Sequence, residues 1–109
     1  MPTRLPVVAQ PRMDLSVPDV SRAQAVAALL GDRVRASILA MLADGPHCVC
    51  EMAGAVGERE NNVSNHLARL REAGLVRSVR HASNGRFLYY DRDEAACTAA
   101  LRALEEILA

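Results

Sequence analysis

The segment His47-Cys48-Val49-Cys50-Glu51-Met52-Ala53 places two of the chain's three cysteines one residue apart. Thiolates hold soft ions, and a Cys-x-Cys pair suits Zn(II), Cd(II), Pb(II) or As(III)/Sb(III). A cysteine at a helix start is expected to ionise more readily, because unpaired N–H groups and the helix dipole face it. Inside a regular helix, residues two apart diverge by about 200°. In an extended chain entering a helix they point to the same side. Cys48 and Cys50 are therefore expected to clamp one ion if the helix start gives way. The opposing reading is that two small thiols pack as hydrophobes. A third ligand would come from His47, from Cys97 or from a partner chain. Pyramidal arsenic can instead accept two thiolates and an exchangeable group. Needing the fewest ligands, As(III)/Sb(III) is favoured over Cd(II), Pb(II) or Zn(II), since a structural zinc wants four.

A second concentration of chemistry lies in Arg59-Glu60-Asn61-Asn62-Val63-Ser64-Asn65-His66-Leu67-Ala68-Arg69-Leu70-Arg71. Removing the helical apolar stripe of Val63, Leu67 and Leu70 leaves Asn61, Asn62, Ser64, Asn65 and His66. Asparagine can make paired hydrogen bonds to adenine, and serine can contact bases or phosphate. Arg59, Arg69 and Arg71 suit phosphate. One Asn or Ser would be explained as a helix cap; a run of them points to DNA. His66 has a competing role, as a hydrogen-bonded histidine against a neighbouring helix.

Elements to position these residues are legible on both sides. Residues 1–18 carry four of the five prolines and no helical period, and are read as an arm. A helix is expected from Asp19 or Ser21 to Leu30, where Gly31 stops it. A second follows Asp32, with Val34, Ile38 and Leu42 in line, and ends at Gly45-Pro46. A brief third helix spans 48–56 and closes at Gly57. The fourth runs from Glu60 to Ala73, with Ala73 on its buried side and Gly74 after it. Residues 75–91 read as a hairpin turning at Ser83-Asn84-Gly85. On it Arg77, Arg80 and Arg86, with His81, fit a wing lying along the DNA backbone. The last helix, about Asp93 to Leu108, aligns Cys97, Ala100, Leu101, Leu104, Ile107 and Leu108. The order is that of a winged helix-turn-helix, mainly α with a β-hairpin wing, occupying residues 19–109.

Composition is consistent with this. With 109 residues the chain is one domain, and three aromatic residues leave a core of aliphatic side chains. All 13 basic residues are arginine, and the net charge is zero. Residues 59–92 nevertheless carry seven Arg against three acids, a local excess that can meet nucleic acid. Three cysteines are too few for a disulfide framework. No apolar run approaches the roughly 18 to 20 residues that span a bilayer, so no membrane partner is expected, and with no secretory signal a cytoplasmic protein is expected. No Ser/His/Asp set, phosphate-binding glycine loop or paired carboxylates can be named, which argues against an enzyme.

"HCVCEMA", "NNVSNHLARLREAGLV" and "GRFLYYD", in this order, make residues 20–108 resemble the ArsR/SmtB family of bacterial metal- and metalloid-responsive repressors. The resemblance implies a homodimer bound to operator DNA and released by an inducer at Cys48 and Cys50. The chain departs from parts of the family pattern. Arsenic-sensing relatives often carry a third cysteine where this chain has Ala53. Cadmium- and lead-sensing relatives add N-terminal cysteines, and residues 1–46 have none. The zinc and nickel type uses Asp and His on the last helix, and no histidine follows His81. Other relatives pair one early and one late cysteine in response to oxidants or reactive sulfur, which would join Cys97 to Cys48 or Cys50. Outside that branch stands a DNA-binding module without a ligand.

Overall fold

A computed structural model describes residues 15–80 and 88–109. Most of the expected arm, together with His81, the Ser83-Asn84-Gly85 turn, Arg86 and Phe87, lies outside the described residues.

Five helices and three short strands follow in order: α1 (Ser21–Leu30), α2 (Arg33–Leu42), β1 (His47–Cys48), α3 (Val49–Val56), α4 (Glu60–Glu72), β2 (Val76–Arg80), β3 (Leu88–Arg92) and α5 (Glu94–Leu108). Short acidic side chains set the starts of α2 and α5, satisfying N–H groups that a first helical turn cannot pair internally. Asp32 Oδ1 accepts from the N–H groups of Val34 and Arg35 at 2.9 and 3.1 Å. Asp93 Oδ1 accepts from Ala96 N–H at 2.9 Å at the start of α5. Ahead of α1, Asp19 Oδ1 takes the N–H and hydroxyl of Ser21 at 3.0 and 2.6 Å. The α3–α4 turn depends on Gly57, whose φ of 74° lets the N–H groups of Gly57 and Glu58 both return to Ala53 O.

The core lies where α2, α3 and α4 meet. Ile38, Leu42, Met52, Val63, Leu67 and Leu70 are fully buried there, and Leu75 and Val76 close it from the sheet side. The expected stripe on α4 is thus the buried one, except that Ala73 is exposed. It caps the helix beyond the last turn, where the chain already bends toward Gly74. On α5 the buried positions are Ala100 and Ala103, while Leu101, Ile107 and Leu108 are exposed. Alanines line the inner edge because α1 packs closely along α5, leaving the larger side chains of the stripe toward its outer edge.

The hairpin gains a strand that periodicity did not signal. β1 pairs antiparallel with β3, His47 opposite Tyr90 and Cys48 opposite Tyr89, giving a sheet of order β1-β3-β2. Two residues are too few for an alternating pattern. The assembly is a winged helix-turn-helix, with α3 and α4 as the turn-linked pair. Among the described residues no helix is long and apolar enough to cross a membrane.

Candidate thiol site and nucleic-acid interface

Cys48 belongs to β1 and is also the residue that caps α3, with extended backbone (φ −86°, ψ 165°). Cys50 lies in the first turn. The two sulfurs stand 2.7 Å apart, with Cys48 buried and Cys50 exposed. The two sulfurs meet at an intact start of α3. The extended cap residue already turns its side chain toward the first turn. An ion held tetrahedrally at about 2.3 Å from each sulfur needs them about 3.8 Å apart. The fit asks the pair to open by about 1 Å, and exposed Cys50 is the side chain with room to move.

Glu51 organises this start. Its carboxylate accepts the Cys48 N–H at 2.9 Å, while its own N–H faces the Cys48 sulfur, a reciprocal cap. The Cys48 N–H bond holds the Glu51 carboxyl below the usual glutamate range, with a smaller contribution from His47. His47 Nδ1 lies 3.6 Å from Glu51 Oε1. The Cys48 thiol is not eased toward thiolate. Burial pushes it up, the Cys50 thiol adds to this, and the Glu51 N–H offsets only part. Lost hydration outweighs the helix start.

Cys97 sits elsewhere. Half-buried on α5, its sulfur approaches Leu75 O at 3.8 Å, and burial pushes its thiol up as well. It lines an apolar cavity of about 160 Å³ with Leu39, Leu75, Leu101 and Leu104. Among the described residues no three His, Cys, Asp or Glu side chains converge into a ready ion site. His47 stands beside Glu51, and Cys97 lies against Leu75 on α5.

On α4 the expected polar face divides. Arg59, Asn61, Ser64, Asn65, Arg69 and Arg71 are exposed. Asn62 is turned aside, its amide donating to Glu58 Oε1 at 2.7 Å. Glu58 also meets Arg33 at 3.6 Å. His66 faces inward, its side chain only 17% exposed, so the reading of it as a base-contacting residue gives way to its packing against α2. Its Nδ1 lies 3.1 Å from Arg35 Nη1 and its Nε2 3.8 Å from Asp32 Oδ1. On the wing Arg77 and Arg80 are exposed, and Arg77 approaches its cross-strand partner Asp91 at 3.9 Å. Sequence reasoning missed Arg35 and Glu58. Arg35 reads as one surface arginine among many, and only the neighbouring helices reveal its role.

Residues 32–78 match the family of bacterial regulatory proteins described as the arsR family. Among solved structures, one described as a possible transcriptional regulator for arsenical resistance superposes with a TM-score of 0.65. It is 30% identical, over 75% of this chain and 81% of that one. The chain belongs to the ArsR family. Curated ArsR relatives include the arsenic resistance transcriptional regulator ArsR1 of Pseudomonas putida, 39% identical over 62 residues. Those residues are 56% of this chain and 46% of that protein. The HTH-type transcriptional regulator KmtR of Mycobacterium tuberculosis is 42% identical over 62 residues, 57% of this chain and 45% of that protein. The chain therefore spans under half the length of these curated ArsR relatives. The curated relatives are named as regulators of transcription and the structural neighbour as a possible one, and none is named as an enzyme.

Proposed function

We propose that this ArsR-family chain is a transcriptional repressor that binds operator DNA as a homodimer and leaves it when As(III) or Sb(III) binds the Cys48 and Cys50 thiolates. The observation that carries the reading is the meeting of the two sulfurs at the first turn of α3, the helix that leads directly into α4. An ion drawing on Cys48 pulls on a residue that caps α3 and pairs with Tyr89 on β3. The pull has two short routes. α3 packs on α4 and joins it through Gly57, Glu58 and Arg59, and β3 is one strand of the wing. Asn61, Ser64 and Asn65 would read bases from α4, while Arg59, Arg69, Arg71, Arg77, Arg80 and Arg86 would lie along phosphates. The exposed Leu101, Ile107 and Leu108 supply the apolar surface for a second copy.

Arsenic is favoured over Cd(II), Pb(II) or Zn(II) by ligand count and proton count. Two thiols suffice for it. Arsenic(III) hydroxide exchanges a hydroxyl for each sulfur, and hydroxyl and thiol proton depart together as water. A divalent ion must instead displace the proton that burial holds on Cys48. The relatives named for arsenic resistance support the same preference.

The test is fluorescence anisotropy of the reduced protein on DNA from upstream of its own gene, with excess random duplex as competitor, and sedimentation to give its mass. The account expects a dimer that keeps the upstream DNA under competition and releases it on adding arsenite or antimonite. Equal loss to random duplex would remove operator recognition. Release by Cd(II), Pb(II) or Zn(II) alone would move the inducer to that class. Release only by oxidant or persulfide, lost in Cys97→Ser, would replace ion sensing by a redox pair.

A further inference from the structure

We propose that Arg35 is a positioning residue for the DNA-reading helix, joining the end of α1 to α4 through His66; this rests on the reading of α4 as that helix. Arg35 Nε–H donates to Leu29 O at 2.8 Å and Nη2 to Ala28 O at 3.3 Å. Both carbonyls lie in the last turn of α1, where they lack helical partners and favour a cation. The remaining arm of the guanidinium, Nη1, reaches His66 Nδ1 at 3.1 Å. An arginine has donors only, so His66 Nδ1 must accept. The ring hydrogen is then on Nε2, which faces Asp32 Oδ1, the oxygen that caps α2.

One planar side chain thus spans α1, α2 and α4. α1 packs mainly on α5 and α2, whereas α4 packs on α2, α3 and β2. An open cleft lined by Ala28, Leu29, Arg69 and Ala73 separates α1 from α4, and Arg35 lines it too. The apolar contacts of Val63, Leu67 and Leu70 set which face of α4 turns to the core, but non-directional burial leaves its fine rotation less sharply defined. The Arg35–His66 bond is directional and falls beside Asn65. Fixing the His66 ring fixes the rotation of α4 about its own axis, and with it where Asn61 and Asn65 aim. Arg35 therefore governs which sequence is read more than how strongly DNA is held.

The experiment measures binding of the full chain to upstream DNA and to a random duplex across a range of salt, with circular dichroism confirming the fold. Arg35→Leu is expected to weaken upstream binding about tenfold or more. Its random-duplex affinity and its salt slope should stay unchanged. His66→Leu should do the same, and the double variant should be no worse than either. Arg35→Lys keeps the charge without the fork, and is expected to lose part of the discrimination at the same salt slope. Equal weakening on both duplexes, with the slope reduced by about one, would make Arg35 a phosphate contact. Additive losses, or wild-type discrimination in Arg35→Leu and Arg35→Lys, would overturn the proposal. Nitrogen-detected NMR of the DNA-free protein separates failure here from failure of DNA reading. The Nε2–H tautomer of His66, with α4 amide shifts displaced in Arg35→Leu, is expected whether or not operator DNA binds. An Nδ1–H tautomer would overturn it.

Discussion

Cys48 and Cys97 are both raised by burial, but they keep different company. Cys48 stands at a junction: it caps α3, pairs with Tyr89 on the wing strand, and has a second sulfur at 2.7 Å. Cys97 lies against a backbone carbonyl on the side wall of α5, in an apolar cavity. A thiol becomes a sensor through what its displacement moves, not through burial. Cys48 is tied to α3 and to β3, the two elements through which the proposed function reaches DNA; at Cys97 the neighbours are Leu75, Leu101 and Leu104.

The difference is broken most severely by removing one sulfur. Cys50→Ser is expected to weaken Cd(II) binding, read from thiolate-to-metal absorption, by about a hundredfold or more, since even losing an outer-shell partner costs 10- to 100-fold. Cys97→Ser should remain within about twofold of the native chain, as expected for an independent site. A comparable loss in Cys97→Ser would place the three sulfurs in one site.

Core anchoring gives the next effect. Met52→Ala, fully buried on α3 in the core, should lower unfolding stability by about 2 to 5 kcal/mol. Cys97→Ala, in a half-buried setting beside a cavity, should cost about 1 kcal/mol. Denaturant titration measures both, and equal losses would deny that the two thiols differ in how firmly their surroundings are packed.

Protons sharpen the comparison further. The raised Cys48 thiol holds its proton at neutral pH, so Cd(II) affinity should climb about tenfold per pH unit below the thiol's pKa for each proton displaced. Arsenite affinity should stay nearly flat, because its exchange releases water and no proton. Competition titrations at several pH values check this. A flat Cd(II) profile would mean that Cys48 keeps its proton or takes no part.

The smallest effect concerns the cap. The folded Glu51 carboxyl is held below its ordinary value, so its contribution is present above the unfolded value and is lost as pH falls through the lower folded value. The Cys48 amide proton shift should follow that titration, with a midpoint below the ordinary glutamate value. Glu51→Gln should flatten it. A midpoint at or above the ordinary value would remove the reciprocal cap.

What was legible in the residues, and what was not, divides along local and non-local lines. Val63, Leu67 and Leu70 announce the buried face of α4 because a helix repeats its pattern within one segment. Asp32 and Gly57 mark a start and a stop for the same reason. The strand at His47–Cys48 could not be read, because its partner lies about forty residues away and two residues make no pattern. On α4, Asn62 reads as an exposed polar residue, whereas His66 reads either as a base contact or as a hydrogen-bonded histidine against a neighbouring helix, and the structure has the second. Their inward turn is set by Arg35, Asp32 and Glu58, which belong to other elements. The Cys48 thiol shifts opposite to what its place at a helix start implies, since a helix start is local but burial is not. The thiol pair was visible as spacing, and its convergence at an intact helix start became visible only with the cap geometry.

The most direct test follows DNA occupancy while arsenite is added to the reduced native chain, Cys50→Ser and Cys97→Ser side by side. The account predicts release from the native chain and from Cys97→Ser at similar arsenite concentrations, with Cys50→Ser staying bound. Release from Cys50→Ser at the native concentration would contradict it, and so would retention by the native chain.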